Sequence, residues 1–309
     1  MEFYHNMSNI YDLIIIGAGP AGITASVYAA RKRIIFLVVT KDIGGQAAWS
    51  GDIENYTGYQ FITGPELDSK FEEHMKKYGN NVREGEEAIE VKRKDNIISV
   101  KTNRGLYEAK TLVIASGKKS KELGVPGEKE FKNRGVTYCA TCDGPLFSGK
   151  DVAIIGGGNS ALDAALQLIK IAKRLYLINI TPNITGDPIM QEKIRESDKV
   201  TILNSAEVTA ITGDKAVRSI RVKREGKEET LPVQGIFVEI GLIPNSGFAK
   251  EVDRNELGEI KVDCHNSTNV PGIFAAGDVT NVPEKQIVIA AGEGSKAALS
   301  AFRYLNQSR

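Results

Sequence analysis

Two of the three cysteines in this 309-residue chain, Cys139 and Cys142, are separated by two residues. A pair at this spacing can close a small disulfide ring, and strained or exposed rings exchange more readily than structural disulfides. The residues that follow, Asp143-Gly144-Pro145, are typical of a turn that reaches the surface. The pair is therefore a candidate redox relay.

A zinc half-site and a pair of buried core cysteines are the alternatives. Zinc needs four ligands, which usually include a second closely spaced pair of Cys or His residues. The remaining candidate ligands are scattered along the sequence: His5, His74, Cys264 and His265. Counting ligands therefore predicts no metal site, and the surface turn disfavours a core role.

The segment Gly17–Gly22, GAGPAG, has the spacing of a dinucleotide-binding fingerprint. It follows an apolar strand predicted over Tyr11–Ile16 and opens a helix predicted to about Ala30. A second strand, predicted over Ile34–Val39, completes a βαβ unit. Such glycines let the backbone turn tightly and approach a pyrophosphate, which the amides at the helix N-terminus can bind.

The same pattern returns at Gly156–Ala161, GGGNSA, after a strand predicted over Asp151–Ile155. A helix and a further strand, predicted over Leu175–Ile180, close the second unit. Glycine turns without a ligand are the alternative, but two such units in tandem are hard to explain that way. Two nucleotide sites and one dithiol together indicate electron transfer.

We predict an α/β fold with two Rossmann-like nucleotide-binding domains, the second inserted into the first. The first domain is predicted from residues 1–119 and 246–309, and the inserted domain, which carries the dithiol, from residues 120–245. The predicted crossovers are the polar connector Lys118–Glu122 and the segment Gly241–Asn245. Two short connectors make a natural hinge.

The composition gives no reason to expect a nucleic acid or a membrane surface as a partner. The formal net charge is +1, the pI is near 7.6, and Lys and Arg alternate with Asp and Glu. No apolar run approaches the ~20 residues of a bilayer span. Because the chain starts with a polar segment and three cysteines do not build a secreted disulfide framework, we expect a cytoplasmic protein.

These motifs resemble those of the low-molecular-weight thioredoxin reductases, FAD/NAD(P)-dependent pyridine nucleotide-disulfide oxidoreductases, along essentially the whole chain. The motifs are GAGPAG at 17–22, GGQ at 44–46, ENY at 54–56, CATCD at 139–143, GGGNSA at 156–161 and GDV at 277–279. DIENY at 52–56, CDGPLF at 142–147 and KQI at 285–287 are also similar to the flavoprotein subunit of alkyl hydroperoxide reductase. That subunit carries an additional N-terminal dithiol domain, so we expect this chain to pass electrons to a separate protein.

The resemblance implies a thioredoxin-disulfide reductase type of oxidoreductase, with FAD in the first domain and NAD(P) in the inserted domain. The residues that would contact FAD are Gly17, Gly19, Pro20, Ala21, Gly22, Thr40, Gly44, Gly45, Gln46, Asn55, Gly117, Gly277, Asp278, Lys285, Gln286 and Ile287. The residues that would contact the nicotinamide nucleotide are Gly156, Gly158, Asn159, Ser160 and Ala161. Within the dithiol, Cys142 would face the flavin, Cys139 would attack the partner, and Asp143 would act as the acid/base.

The implied partner is thioredoxin, or a thioredoxin-like or glutaredoxin-like protein, and the implied assembly is a homodimer formed through the FAD domain. Other outcomes of the same architecture stay open. The chain could reduce a peroxiredoxin system, oxidise dithiols with its flavin, or take electrons from a donor other than a nicotinamide. Outside enzymes, it could be a nucleotide-sensing binding protein.

Two positions depart from the expected pattern. Thr40 stands where an acidic residue usually binds the adenosine ribose, although a hydroxyl can still bond a ribose. After Ile178, relatives specific for NADPH carry a cluster of His and Arg, whereas this chain reads NITPNIT over Asn179–Thr185. A 2′-phosphate would find no cation there, and each lost charge-assisted hydrogen bond costs about 1.5–3 kcal/mol. We therefore predict NADH, and not NADPH, as the electron donor.

Overall fold

Each glycine-rich segment follows a strand that pairs in parallel with both of its neighbours in its own sheet. The computed structural model describes residues 10–49, 52–53, 55–79 and 81–307. Its described residues up to Lys119 and from Ile243 onward form one compact unit, the first unit, and Ser120–Leu242 form another, the second unit. The sequence patterns place the second boundary after Asn245, and the structure places it after Leu242.

The chain passes through the elements of the two units in order. It begins with β1 (Tyr11–Ala18), α1 (Pro20–Arg31), β2 (Phe36–Ile43), β3 (Asp52–Ile53), β4 (Ile62–Thr63), α2 (Gly64–Lys76), β5 (Val82–Glu84), β6 (Ala88–Lys94), β7 (Ile97–Thr102), β8 (Leu106–Ile114) and β9 (Lys118–Ser120). It continues with β10 (Val136–Thr137), α3 (Ala140–Asp143), β11 (Asp151–Ile155), α4 (Asn159–Ile169), β12 (Arg174–Ile178), α5 (Pro188–Arg195), β13 (Val200–Leu203), β14 (Ala206–Gly213), β15 (Val217–Arg224), β16 (Lys227–Pro232) and β17 (Gly235–Val238). It returns through β18 (Leu242–Pro244), β19 (Ile273–Ala275) and α6 (Ile287–Gln307).

The first unit is built on a seven-stranded sheet in the order β5-β2-β1-β8-β7-β6, with β19 also paired to β8. β1 pairs in parallel with β2 and β8, and Leu13–Ile16 at its centre are buried. Leu13 and Ile15 pack against α1 and α6, whereas Ile14 and Ile16 pack on the opposite face of the sheet. The continuous apolar run is what a parallel strand covered on both faces requires.

α6 packs closely on α1 because it carries a glycine at the point of contact. A Cβ atom at Gly294 would lie 2.0 Å from the backbone oxygen of Ala21. Since Ala21 belongs to the first glycine segment, this contact helps to position the N-terminal end of α1.

The second unit contains a five-stranded sheet in the order β10-β17-β11-β12-β13, with every pair parallel. From β11 at the centre, the chain proceeds outward to β12 on one side and reaches β17 last on the other. At such a switch point the carboxyl ends of the strands leave a crevice in which nucleotides bind. A separate antiparallel sheet is formed by β14, β15 and β16, and the two connecting strands β9 and β18 pair with each other.

Three of the predicted strand ends are wrong, and β1 continues past Ile16 to Ala18. β2 continues past Val39 because its pairing with β1 extends through a bulge to Ala18 and Ile43. Thr40 therefore lies inside the strand, where it is buried. β12 ends at Ile178, so Asn179 begins the connecting segment instead of lying within the strand. No helix within the described part of the chain is long and apolar enough to cross a membrane.

Candidate functional site

The first glycine segment forms a tightly packed turn, here called a cradle, in which side chains at two of the glycines would collide with the backbone. Gly17 has a φ of +99°, and a Cβ atom there would lie 2.3 Å from the backbone oxygen of Ala115. A Cβ atom at Gly22 would lie 1.8 Å from the backbone oxygen of Gly17. Gly19 caps α1 without a side-chain hydrogen bond, and Pro20 occupies the start of the helix. The free amides at this helix end suit a pyrophosphate.

A second glycine turn meets the first. Gly44 and Gly45 both have positive φ, and a Cβ atom at Gly45 would lie 3.4 Å from the Cα of Gly19. A Cβ atom at Gly44 would lie 2.3 Å from the carboxyl carbon of Asp68 on α2. Sequence reasoning missed Asp68, because a single aspartate on a helix carries no motif.

The carboxyl group of Asp68 has an oxygen that nothing in the described residues satisfies. Its Oδ1 atom is buried and has no hydrogen-bond partner among them. Burial raises the pKa of Asp68, and the nearby Glu72 and Asp42 carboxylates raise it further. Buried carboxylate oxygens normally have partners, so the position suits a ligand that brings a hydroxyl or amide donor.

Thr40 uses its hydroxyl inside the protein. The Oγ1 atom accepts a hydrogen bond of 3.1 Å from the backbone N–H of Ala18 and donates one of 2.5 Å to the backbone oxygen of Asp42. Because its single proton is committed to Asp42, Thr40 could only accept a hydrogen bond from a ribose. Its assignment as a ribose ligand stays a prediction.

Two of the residues predicted to line the flavin are brought together from distant parts of the sequence. The side-chain amide of Asn55 donates to Oε1 of Gln286 at 3.0 Å, just before Ile287 begins α6. Gln46 donates from Nε2 to the backbone oxygen of Lys118 at 2.7 Å. Gly117, the residue before Lys118, has a positive φ, and its backbone oxygen accepts a hydrogen bond from the backbone N–H of Asn245.

The turn that carries Asp278 is held by a buried carboxyl group. Glu293 on α6 is buried and accepts hydrogen bonds from the backbone N–H of Gly277 at 2.7 Å and from the hydroxyl of Thr280 at 3.3 Å. Burial raises the pKa of Asp278, and the positive charges of Lys285 and Lys118 partly offset that effect. A half-buried carboxyl group at the end of the sheet is thus available to a ligand hydroxyl.

Lys285 and Lys118 share one carboxylate. The Oε1 atom of Glu259 lies 2.7 Å from the Lys118 ammonium and 3.2 Å from that of Lys285, and Asn255 donates to Oε2 at 2.7 Å. Burial alone would raise the pKa of Glu259, but the hydrogen bonds from Lys118, Asn255 and Lys285 outweigh it and lower the pKa to about 2. Lys285 also donates to the backbone oxygen of Thr280. The predicted role of Lys285 therefore depends on Glu259, which sequence reasoning missed.

The second glycine segment repeats the cradle in the second unit. Gly156 has a φ of +139°, and a Cβ atom there would lie 2.3 Å from the backbone oxygen of Glu239. Gly158 caps α4 without a side-chain hydrogen bond. Asn159 and Ser160 are exposed, and Ala161 is buried against the sheet. This helix end also suits a pyrophosphate.

Asn179, at the end of β12, is buried and its amide is fully used. Its Nδ2 donates to the backbone oxygen of Thr181 at 3.0 Å and to Oδ1 of Asn204 at 3.1 Å, and its Oδ1 accepts from the hydroxyl of Thr181 at 3.0 Å. No Lys or Arg occurs between positions 179 and 187. The end of this strand presents neither a free carboxylate for a ribose diol nor a cation for a 2′-phosphate.

The cysteine segment is ordered by a threonine. The hydroxyl of Thr137 donates to the carboxylate of Asp143 and accepts from the backbone N–H of Cys139 at 3.2 Å. Cys139 is half-buried, whereas Cys264 is free and exposed. The side chain of Cys142 lies outside the described residues. Thr137 thus holds Asp143 beside the backbone of Cys139.

A buried carboxylate also anchors the residue before Cys139. Glu128 is fully buried and accepts hydrogen bonds from the backbone N–H groups of Leu123 and Gly124 and from the Tyr138 hydroxyl, at 2.7–2.8 Å. Burial and the contact with Glu128 raise the pKa of Tyr138, so its phenol stays neutral. No group of three or more His, Cys, Asp or Glu side chains that could hold a metal is present in the described ranges.

The fold and these two cradles define an enzyme class that sequence comparison identifies. The family model described as pyridine nucleotide-disulphide oxidoreductase matches residues 11–294, and the chain belongs to this family. The predicted family, α/β fold class and oxidoreductase class are confirmed. The roles of individual residues stay predictions.

Relatives of this chain carry several names. An NADH dehydrogenase of Ferdinandcohnia aciditolerans is 42% identical over 298 residues, which cover 96% of this chain and 57% of the relative. An alkyl hydroperoxide reductase component of Staphylococcus aureus is 42% identical over 299 residues, which cover 96% of this chain and 59% of the relative. The chain therefore spans less than two thirds of the length of these curated relatives.

A solved structure is similar to this chain along nearly the whole length of both proteins. Thioredoxin reductase of Lactococcus lactis has a TM-score of 0.84 and 33% sequence identity, and the match covers 96% of this chain and 99% of that one. The protein is therefore a thioredoxin reductase-like flavoprotein oxidoreductase.

Proposed function

We propose that the protein is a disulfide reductase that moves two electrons from NADH, through FAD and the Cys139–Cys142 pair, to thioredoxin or a thioredoxin-like protein. In the overall reaction, NADH, one proton and the partner disulfide give NAD⁺ and the partner dithiol. The observation that carries the proposal is that Thr137 holds the carboxylate of Asp143 beside the backbone of Cys139. A purely structural pair of cysteines needs no such ordered carboxylate.

The first unit fits FAD. Its two glycine turns need glycine for close backbone packing at Gly17 and Gly22, and the N-cap of α1 carries no side-chain hydrogen bond that would compete with a pyrophosphate for the helix amides. The unsatisfied oxygen of Asp68 and the half-buried carboxyl group of Asp278 are suited to accept hydrogen bonds from ribityl or ribose hydroxyls. Bound FAD would supply two-electron chemistry between a hydride donor and a disulfide.

We assign the dithiol roles by resemblance to the family. Cys142 takes electrons from the flavin side, and Cys139 attacks the partner disulfide as a thiolate. Reduction of the Cys139–Cys142 disulfide consumes two electrons and one proton and yields one thiol and one thiolate. Asp143 moves that proton, a role that its position beside the Cys139 backbone supports.

We infer that NADH is the preferred donor. The segment between 179 and 187 offers no cation to a 2′-phosphate, and charge-assisted bonds to such a group are each worth about 1.5–3 kcal/mol. The name of the Ferdinandcohnia relative is consistent with this preference. Because the Asn179 amide is occupied, NADH should bind without a specific contact to its adenosine ribose from that position.

A peroxiredoxin system is the second candidate for the acceptor. It is favoured by the 42% identity to a Staphylococcus aureus protein named as part of alkyl hydroperoxide reductase. The likeness to a thioredoxin reductase over nearly the whole of that structure favours thioredoxin.

The test is anaerobic turnover by the FAD-loaded protein. We expect NADH to bleach the flavin faster than NADPH does, and the reduced protein to reduce a thioredoxin faster than a peroxiredoxin-linked dithiol domain. If neither NADH nor NADPH bleaches the flavin and a reduced ferredoxin bleaches it rapidly, NADH is not the electron donor and a ferredoxin takes its place. Unchanged partner reduction after loss of either cysteine would overturn it.

A further inference from the structure

Glu239 lies where the second glycine segment and the cysteine segment approach each other. Its backbone N–H donates to the oxygen of Ile155 at 2.8 Å, and a Cβ atom at Gly156 would lie 2.3 Å from its backbone oxygen. On its other side β17 pairs with β10, the strand that leads into Cys139. The carboxyl ends of parallel strands meet at one edge of a sheet, so residue 239 follows the strand between these two segments.

The side chain of Glu239 reaches the cysteine segment directly. Its carboxyl group accepts a hydrogen bond from the backbone N–H of Ala140, the residue after Cys139 and the first residue of α3. No sequence motif marks this residue, because it is ninety-nine positions away from Ala140. The contact exists only because β17 lies between β10 and β11.

The environment of Glu239 favours exchange of a proton near neutral pH. Burial raises its pKa to about 7, although the hydrogen bond from Ala140 opposes part of the rise. The carboxylate of Asp163 on α4 raises the pKa further. Among the described charged residues, Asp163 is the one whose charge shifts the pKa of Glu239. A carboxyl group in this range changes its charge over the pH interval in which thiols also ionise.

We propose that Glu239 is a positioning residue of the dithiol: it holds the start of α3 through Ala140, and its charge sets how readily Cys139 forms a thiolate. This inference rests on the proposed redox role of Cys139. A negative charge on Glu239 disfavours a second negative charge on the adjacent segment. The two ionisations are therefore coupled, and neither group titrates as an isolated site.

The coupling bears on the reaction through its proton balance. Reduction of the disulfide by two electrons and one proton leaves one thiolate in the segment. When Glu239 is neutral, that thiolate meets no like charge from this side chain, and when Glu239 is ionised it does. Loss of a proton from Glu239 therefore makes loss of the proton from the Cys139 thiol less favourable, and the reverse also holds. Both protons are exchanged with solvent.

The test measures thiol reactivity and needs neither flavin turnover nor a nucleotide. Wild-type protein and the Glu239→Gln variant are reduced with a phosphine, and the rate of alkylation of Cys139 by iodoacetamide is followed as a function of pH by peptide mass spectrometry. Glutamine keeps an acceptor for the Ala140 N–H and removes the charge. We expect a broad, two-step profile for wild type and a single step for the variant, with alkylation at pH 7 about 3-fold faster in the variant.

Three references accompany the measurement. The exposed free thiol of Cys264 should react at the same rate in every sample. Asp163→Asn should move the first step of the profile to lower pH, because Asp163 raises the pKa of Glu239. Glu229→Gln, at an exposed position on β16, should leave the profile unchanged.

Two results would overturn the inference, and they are distinguishable. If the pH dependence of Cys139 alkylation is identical in wild type, Glu239→Gln and Asp163→Asn, Glu239 does not influence the dithiol. The proposed function is unaffected by that result. A Cys139 that stays unreactive after reduction in all of these proteins would contradict both this inference and the proposed redox role.

Discussion

Ile180 lies in the segment after β12, which carries no cation that could meet a phosphorylated ribose. Ile180 follows the buried Asn179 and is 70% exposed, so a substitution there disturbs no packing. The side-chain amide of Asn179 already donates to the backbone oxygen of Thr181 and to Asn204. The proposed preference for NADH therefore rests on the lack of a cation in the Asn179–Thr185 segment.

Replacing Ile180 by arginine should improve the use of NADPH. A guanidinium at this exposed position can make charge-assisted hydrogen bonds to the 2′-phosphate, so kcat/KM for NADPH should rise about 10-fold. The rate with NADH should change little. Steady-state kinetics with both donors measure the effect, and Ile180→Gln, which adds polarity without charge, is the control. An equal gain for NADPH in both variants would show that charge is not the limiting feature.

The charge on Glu259 should make the stability of the protein depend on pH. The folded pKa of Glu259, about 2, lies below the usual value of 4.5, so its ion pairs stabilise the protein above pH 4.5 and lose that effect as the pH falls toward 2. Glu259→Gln should lower the free energy of unfolding by about 2–3 kcal/mol at pH 7 and by much less near pH 3.

Urea unfolding of wild type and Glu259→Gln at the two pH values checks this expectation. Glu256→Gln, which removes a carboxylate from an exposed neighbouring position, should have little effect at either pH. A loss of stability in Glu259→Gln that is the same at both pH values would mean that packing, and not the charge on Glu259, is responsible.

Packing between α1 and α6 matters at the scale of elements, because it fixes the first glycine segment. Gly294 lies against the backbone of Ala21, whereas Gly292, on the same helix, has nothing within 4 Å of its missing Cβ atom. A side chain at Gly294 would collide with α1, whereas a side chain at Gly292 would change only the helix propensity. The two glycines form a matched pair.

Gly294→Ala should therefore destabilise the protein by about 1–3 kcal/mol and lower its FAD content, because the new methyl group must push α6 away from α1. Gly292→Ala should stabilise it by up to about 1 kcal/mol, because alanine is the better helix former. Thermal unfolding and the ratio of flavin to protein absorbance measure both effects. Normal stability and flavin content in Gly294→Ala would show that α6 does not fix this end of α1.

The sequence was sufficient to predict the elements whose signal is local. A continuous apolar run followed by closely spaced glycines and a helix predicted β1 with α1 and β11 with α4, and the structure has all four. The end of β2 could not be predicted, because it depends on a bulge in the pairing of β1 with β2. Thr40 was therefore placed at a strand end, whereas it lies buried inside the strand.

Three carboxyl groups around the candidate site could not be predicted from the sequence, for a related reason. Asp68, Glu259 and Glu239 have no motif of their own, and each acquires its partners from a distant part of the chain. Their environments depend on the order of strands in the sheets and on burial. Spacing identifies residues that lie on one loop, and it does not identify carboxylates that a fold brings to that loop.

The two glycine segments lie in different units of the molecule, and the cysteine pair lies in the second unit. The match to Lactococcus lactis thioredoxin reductase covers 96% of this chain, so both units belong to the shared architecture. The two connections between the units pair as β9 and β18. Rotation about these connections stays a prediction from the sequence.

Electron transfer through the Cys139–Cys142 pair is tested by replacing each cysteine with serine. FAD-loaded wild type, Cys139→Ser, Cys142→Ser and Cys264→Ser are mixed anaerobically with NADH and a thioredoxin-like disulfide protein. Flavin bleaching and formation of partner thiols are followed together. We expect NADH to bleach the flavin in all four proteins, and partner thiols to form only in wild type and Cys264→Ser. Partner reduction at the wild-type rate in either Cys139→Ser or Cys142→Ser would contradict the account.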